Sequence, residues 1–281
     1  MLMRTFGLCV TAFCCLSHAP VWAGPASPES AIKDVMTLSG MQHTLRQIPQ
    51  QVVAGFDQQS QKIPAAQQAA LRRALGESFD APMMERHVAK ELRETLRPEV
   101  TAKTLEWLRT DLGKKITTLE EAAGNPTRVA ELQVFAKQLE KTPPPQDRLQ
   151  LIRRIDMATN ASELLLDVTE SMMVSIASAY DATLPAQQRT GTDRIRVQVS
   201  RERDAWRPQA QTHVLISMLY TYRSLSQTEL DQYVAFLETE SGLEFYVQSG
   251  AALKGAMDLG IHRATRAMME ILKPGTPRKT T

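Results

Sequence analysis

Four histidines lie beyond the first 23 residues, His43, His87, His213 and His262, and none stands four residues from another. His87 and Glu91 share a helical face at that spacing, but a metal centre needs three or four ligands converging at about 2 Å. No metal site is expected. Methionine doublets occur at Met83-Met84, Met172-Met173 and Met268-Met269. Thioethers bind soft copper in exported proteins, yet adjacent helical residues point about 100° apart. Core filling or an adaptable contact surface suits the doublets better. No Gly-x-Ser-x-Gly elbow is present, and Ser241-Gly242 and Ser249-Gly250 read as helix ends or turns. The acids Glu120-Glu121 and Glu238 with Glu240 read as solvated faces. Gly113-Lys114-Lys115 lacks the upstream glycine and the hydroxyl residue of a phosphate loop. The mixed run from Arg194 to Asp204 reads as a solvated helix face, or as a contact for an acidic partner. No catalytic residue and no cofactor are expected, and the chain is read as a non-enzyme.

Aromatic residues concentrate in the second half, and six carry a speculative binding role: Trp206, Tyr220, Tyr222, Tyr233, Phe236 and Tyr246. Tyr and Trp join an apolar body to a polar tip, which suits interfaces and ligand grooves. The competing reading is that these rings form the core of that half.

The elements that must position these residues are helical. Ala, Leu, Gln, Glu, Arg and Met dominate, and all favour helix. Gly and Pro read as punctuation between periodic segments. Ser30 precedes an apolar stripe at Ile32, Val35, Met36 and Leu38. Pro64, Pro185 and Asp80 with Pro82 mark helix starts. Ser226-Gln227-Thr228-Glu229 fits a capping box, after which Leu230, Tyr233, Val234 and Leu237 line one face. Gly242 is expected to break or redirect that helix. Residues 243–272 read as a long helix, with kinks expected at Gly250, Gly255 or Gly260. The nearest thing to a strand, Val197-Gln198-Val199, is too short to stand alone.

Arg4, the apolar run 6–16 and the small residues Val21 and Ala23 form the three parts of a cleaved secretory signal, residues 1–23. Its apolar stretch is too short to span a bilayer of about 30 Å. All three cysteines, Cys9, Cys14 and Cys15, lie inside it, so the mature chain has no thiol. That excludes disulfides, thiolate catalysis and Cys-bound metals. No second stretch reads as a transmembrane segment. Removing Arg4 leaves 32 bases against 31 acids, without the basic stripe of a nucleic-acid binder.

Thr142-Pro143-Pro144-Pro145-Gln146 cannot continue a helix and reads as a linker. The flanking segments, 24–141 and 147–272, resemble each other. Met36 and Met157, and Ile63 and Leu184, lie 121 residues apart. Leu96, Trp107, Leu108, Thr110 and Gly113 match Leu225, Phe236, Leu237, Thr239 and Gly242 at 129. One insertion near 190–203 reconciles the offsets. The fold is therefore read as all-α, two tandem multi-helix units, with residues 273–281 as a flexible tail.

The motif Leu225-Ser226-Gln227-Thr228-Glu229-Leu230, with Tyr233, Phe236, Leu237 and Ser241-Gly242-Leu243, resembles the domain-of-unknown-function 2059 family of exported bacterial proteins. The likeness covers the C-terminal half well and the N-terminal half loosely, where Pro98-Glu99-Val100 departs from it. The resemblance implies a small all-helical fold in the periplasm of Gram-negative bacteria, and no activity. The expected function is a non-enzymatic module that binds an envelope protein or component. The alternatives are a carrier of an apolar ligand or lipid in an inter-helix cavity, and a hydrolase.

Overall fold

The computed structural model describes residues 27–60 and 63–272. The expected signal 1–23, with its cysteines, and the expected tail 273–281 lie outside the described residues. The described residues form helices without any strand, as the composition requires. In order they are α1 (Pro28–Leu38), α2 (Met41–Gln59), α3 (Ala65–Ser78), α4 (Ala81–Thr95), α5 (Pro98–Arg109) and α6 (Asp111–Ala123). After a single 3₁₀ turn at Pro126–Arg128 come α7 (Val129–Lys141), α8 (Gln146–Thr159), α9 (Ala161–Thr183), α10 (Thr192–Thr221), α11 (Gln227–Leu237) and α12 (Glu240–Leu272). Among them no helix is long and apolar enough to cross a membrane.

The caps follow local chemistry. The Asp80 carboxylate accepts from the Met83 amide to start α4. Ser226 and Glu229 complete the expected capping box at α11, with the serine accepting from the Glu229 amide and the glutamate from the Ser226 amide. Other expectations need correcting. Ser27, three residues before Ser30, caps α1. Pro185 opens only a short 3₁₀ turn, and α10 waits until Thr192, where it takes in Val197-Gln198-Val199. Pro49 and Pro208 lie inside α2 and α10 rather than between helices.

Gly242 does not end a helix. The chain turns at Glu238 and Thr239, and Gly242 sits in the first turn of α12, where a Cβ would lie 2.2 Å from the Phe236 carbonyl oxygen. Only a residue without a side chain lets α12 leave α11 this closely. The matched Gly113 repeats the arrangement between α5 and α6, with 2.3 Å to the Trp107 carbonyl. In both corners a threonine (Thr110, Thr239) donates its hydroxyl to that carbonyl at 2.7 Å and accepts from the glycine amide at 3.0 Å. α12 then runs unbroken through Gly250, Gly255 and Gly260. Gly255 and Gly260 let the helix approach its neighbours, since a Cβ would lie 2.5 Å from His87 Nε2 and 2.4 Å from Phe79 Cδ1.

Neither hydrophobic core is confined to one side of the Pro143–Pro145 break. The first gathers Val35, Leu45, Met84, Val88 and Leu92 from α1, α2 and α4, and is closed by Phe245, Ala252, Ala256, Ile261 and Ala264 of α12. The second gathers Ile152, Ile155, Leu230, Tyr233 and Leu237 from α8 and α11, and takes Ile116 from α6. Helix α6, from before the break, serves the later core, and α12, the last described helix, serves the earlier one. At the crossing, Trp107 and its matched residue Phe236 stack with centroids 4.5 Å apart and 8° between planes. Arg97 pairs with Glu240 and Glu244, and Lys115 with Glu229 at 2.6 Å.

Candidate functional site

The structure brings four of the six singled-out aromatics into the second core, buries Tyr220 beside it and leaves Trp206 apart. Tyr233 is fully buried on α11, and Tyr220 and Tyr222 are buried at the end of α10. Phe236 is half-buried under Trp107, and Tyr246 of α12 is half-buried between the two cores. These rings fill space between helices rather than line an open groove, because α6 and α8 cover them. Tyr220 borders a surface groove, of about 570 Å³, with Val134 and Phe135 of α7. Its hydroxyl donates to Glu131, and the Arg223 guanidinium lies 3.9 Å from its ring centroid. Trp206 stands apart, half-buried on α10 against Leu165, Thr169 and Met173 of α9.

The tyrosines enclose a carboxylate that the sequence reading placed in solvent. Glu120 of α6 accepts from the Tyr222 hydroxyl at 2.6 Å and from that of Tyr233 at 3.1 Å. The Tyr233 and Tyr246 hydroxyls are 2.8 Å apart. The residue as a whole is half-buried, with its carboxyl end turned toward these hydroxyls. Loss of water raises the Glu120 carboxyl above its ordinary range, against the two tyrosine hydrogen bonds, which lower it. Burial, followed by the nearby Glu120 charge, pushes the three tyrosine hydroxyls up, so they remain donors. The Arg148 guanidinium fixes the site's edge by donating to the Tyr222 and Leu225 carbonyls, at 2.7 and 3.1 Å. The network is chemically a clamp between α6, α10, α11 and α12, with its polar atoms spent on each other. Glu238 and Glu240 are exposed, as read, and pair with Arg154 and Arg97 at the surface.

A larger concave surface lies elsewhere, between the C-terminal parts of α9 and α12 with the first turns of α10 alongside. It is a groove of about 1120 Å³. Val174, Ala179, Met269 and Leu272 supply apolar walls, and Arg196, His262 and Arg266 bring basic groups, with Glu270 the acid. Inside it the Ser175 hydroxyl donates to Thr265 Oγ1 at 3.0 Å and lies 3.5 Å from His262 Nδ1. The Ser178 hydroxyl is buried without a hydrogen-bond partner. Near the end of α9, Asp181 accepts from the Thr190 and Gly191 amides at 2.6 and 3.0 Å and so holds the loop that leads into α10. Those two bonds, before any other influence, lower its carboxyl below the ordinary range.

Beside the groove α9 keeps an apolar stripe in solvent. Met172, Ile176 and Tyr180 recur every four residues, with Met173 adjacent, and Tyr180 is 64 % exposed. Leu166, Ser175 and Asp181 of the same helix are buried. A polar face of α9 is held separately: Glu163, Asp167 and Glu170 converge on Arg203 of α10, at 2.8, 2.7 and 3.0 Å. Arg203 is thus the one member of the mixed run that is engaged internally, while Arg194, Arg201, Glu202 and Asp204 face solvent.

Among the described residues no three His, Cys, Asp or Glu side chains gather as a metal site would require. Of the methionine doublets, Met84 is fully buried, whereas Met172 and Met173 are exposed. No protein-family model, curated protein or solved structure matches this chain.

Proposed function

We propose that the chain is an exported, non-enzymatic binding module of the bacterial envelope, related to the domain-of-unknown-function 2059 family, and that it works through the open side of α9. The exposed stripe Met172, Ile176 and Tyr180 carries this reading. An apolar face left in solvent beside a large groove is the usual mark of a contact surface. Methionine and tyrosine suit such a face, being adaptable and amphipathic. A hydrolase is less well supported: Ser175 Oγ lies 3.5 Å from His262 Nδ1 and nearer Thr265 Oγ1, at 3.0 Å, whereas a nucleophile and its base sit about 2.6–3.2 Å apart.

The test is site-specific photo-crosslinking in envelope extracts of the producing bacterium. A crosslinker at Ile176 should yield one discrete adduct that excess unlabelled protein competes away and that Met172→Asp abolishes. A crosslinker at the exposed Glu94 of α4 should yield none. Identical products from both positions, or none from Ile176, would refute the reading.

A further inference from the structure

We infer that the groove between α9 and α12 is a binding site for a single-chain amphipathic carboxylate, a long-chain fatty acid. This rests on the binding-module reading and names the occupant. Three observations carry it. The groove is large enough, at about 1120 Å³, since small-ligand sites run from about 300 to 1000 Å³. Its walls divide by chemistry, with aliphatic surface from Val174, Ala179, Met269 and Leu272 and cations from Arg196 and Arg266. The cations are also under-used. Arg196 meets only Asp193, at 3.7 Å, and that carboxylate is itself almost fully exposed. Glu270 is the one acid on the lining, against two arginines and a histidine.

A carboxylate fits the polar part because a guanidinium presents paired N–H donors in the geometry that two carboxylate oxygens accept. Ser178, whose hydroxyl is buried without a partner, also lines the groove. An acyl chain fits the remainder, because the apolar walls would otherwise face water. The arrangement discriminates by headgroup: a neutral alcohol of equal length gains the apolar contact but loses the charge-assisted bonds.

The purified full chain, stripped of lipid, is titrated with a fluorescent fatty acid, and palmitate is used to displace it. Displacement at one site per chain is expected. Arg196→Ala and Arg266→Ala should each weaken palmitate about tenfold, the loss of one charge-assisted bond. Ala179→Trp, which fills the groove, should abolish displacement. Hexadecanol should compete at least about tenfold less well than palmitate, and Arg153→Ala, on the exposed side of α8, should change nothing. Circular dichroism of each variant separates a filled groove from a failed fold, and the two arginine variants decide the matter should Ala179→Trp misfold. Absence of displacement, equal affinity in both arginine variants and the parent, or equal competition by hexadecanol or by a lysophospholipid overturns the inference. The crosslink at Ile176 is read independently, so a module with a different occupant gives that adduct without palmitate displacement.

Discussion

The same substitution, glycine to alanine, should act in opposite directions at two positions of α12. At Gly250 a Cβ meets nothing within 4 Å, so alanine contributes only its helix preference, a gain of about 1 kcal/mol. At Gly242 the same carbon would stand 2.2 Å from the Phe236 carbonyl oxygen and 3.0 Å from Leu237 Cα. Both obstacles are backbone, so the corner must open by roughly 1 Å to reach an ordinary contact. Overpacking of this kind costs about 1–3 kcal/mol. Opening also breaks the two hydrogen bonds of Thr239, at about 1 kcal/mol each. Offset by about 1 kcal/mol of helix preference, the net loss is about 2–4 kcal/mol. Urea unfolding followed by circular dichroism reads the difference. Thermal midpoints should rise by about 2–4 °C for Gly250→Ala and fall by on the order of 10 °C for Gly242→Ala. Gly113→Ala should resemble Gly242→Ala, because its corner has the same threonine and the same carbonyl contact. If Gly242→Ala unfolds within about 1 kcal/mol of the parent, or if Gly250→Ala is equally damaging, the close-approach argument fails.

Three further outcomes follow from the polar contacts. Burial raises the Glu120 carboxyl, so the folded chain holds that proton more tightly than the unfolded chain; this contribution is full below the ordinary carboxyl pKa and is lost as pH rises through the raised value. Glu120→Gln should therefore gain on the parent as pH rises above the ordinary carboxyl range, and urea midpoints of the two that run parallel as pH rises would contradict it. Tyr233→Phe removes the hydroxyl shared by Glu120 and Tyr246 and should cost about 1–3 kcal/mol, read as a shift in urea midpoint at unchanged slope. Arg203→Ala removes the cation shared by Glu163, Asp167 and Glu170 on α9 and leaves only Glu163 paired, with Arg207. It should destabilise by about 1–3 kcal/mol, by an amount that shrinks with added salt; a salt-independent deficit would point to lost packing instead.

How far the sequence reached depends on the range of the forces involved. The capping box at Ser226 and the start at Asp80 were legible because both ends of each interaction lie within three residues. The buried faces of α1 and α11 were legible from their spacing, with Ile32, Val35 and Met36 in one core and Leu230, Tyr233, Val234 and Leu237 in the other. Spacing names a face but not its partner. Glu120 reads as half of a solvated acidic pair because the hydroxyls that hold it are 102 and 113 residues away. Pro reads in general as punctuation between helices, yet Pro49 and Pro208 lie within α2 and α10. The α9 groove was illegible for the same reason, since its walls come from α9, α10 and α12. Its exposed stripe was visible only as one of three methionine doublets.

The crossing of α6 and α12 ties the order of synthesis to the order of assembly. Val35 and Phe79 emerge early from the ribosome, but the residues that cover them, Ala256, Ile261 and Ala264, come near the end of the described chain. Until then the first five helices present a greasy trough, which a holding factor or the unfinished chain itself must shield. The long sequence separations make for slow closure. A protease cut at Pro143–Pro145 would not release two self-sufficient halves. Each fragment would carry the other's missing strut, so the pieces are expected to recombine when mixed and to clump when kept apart.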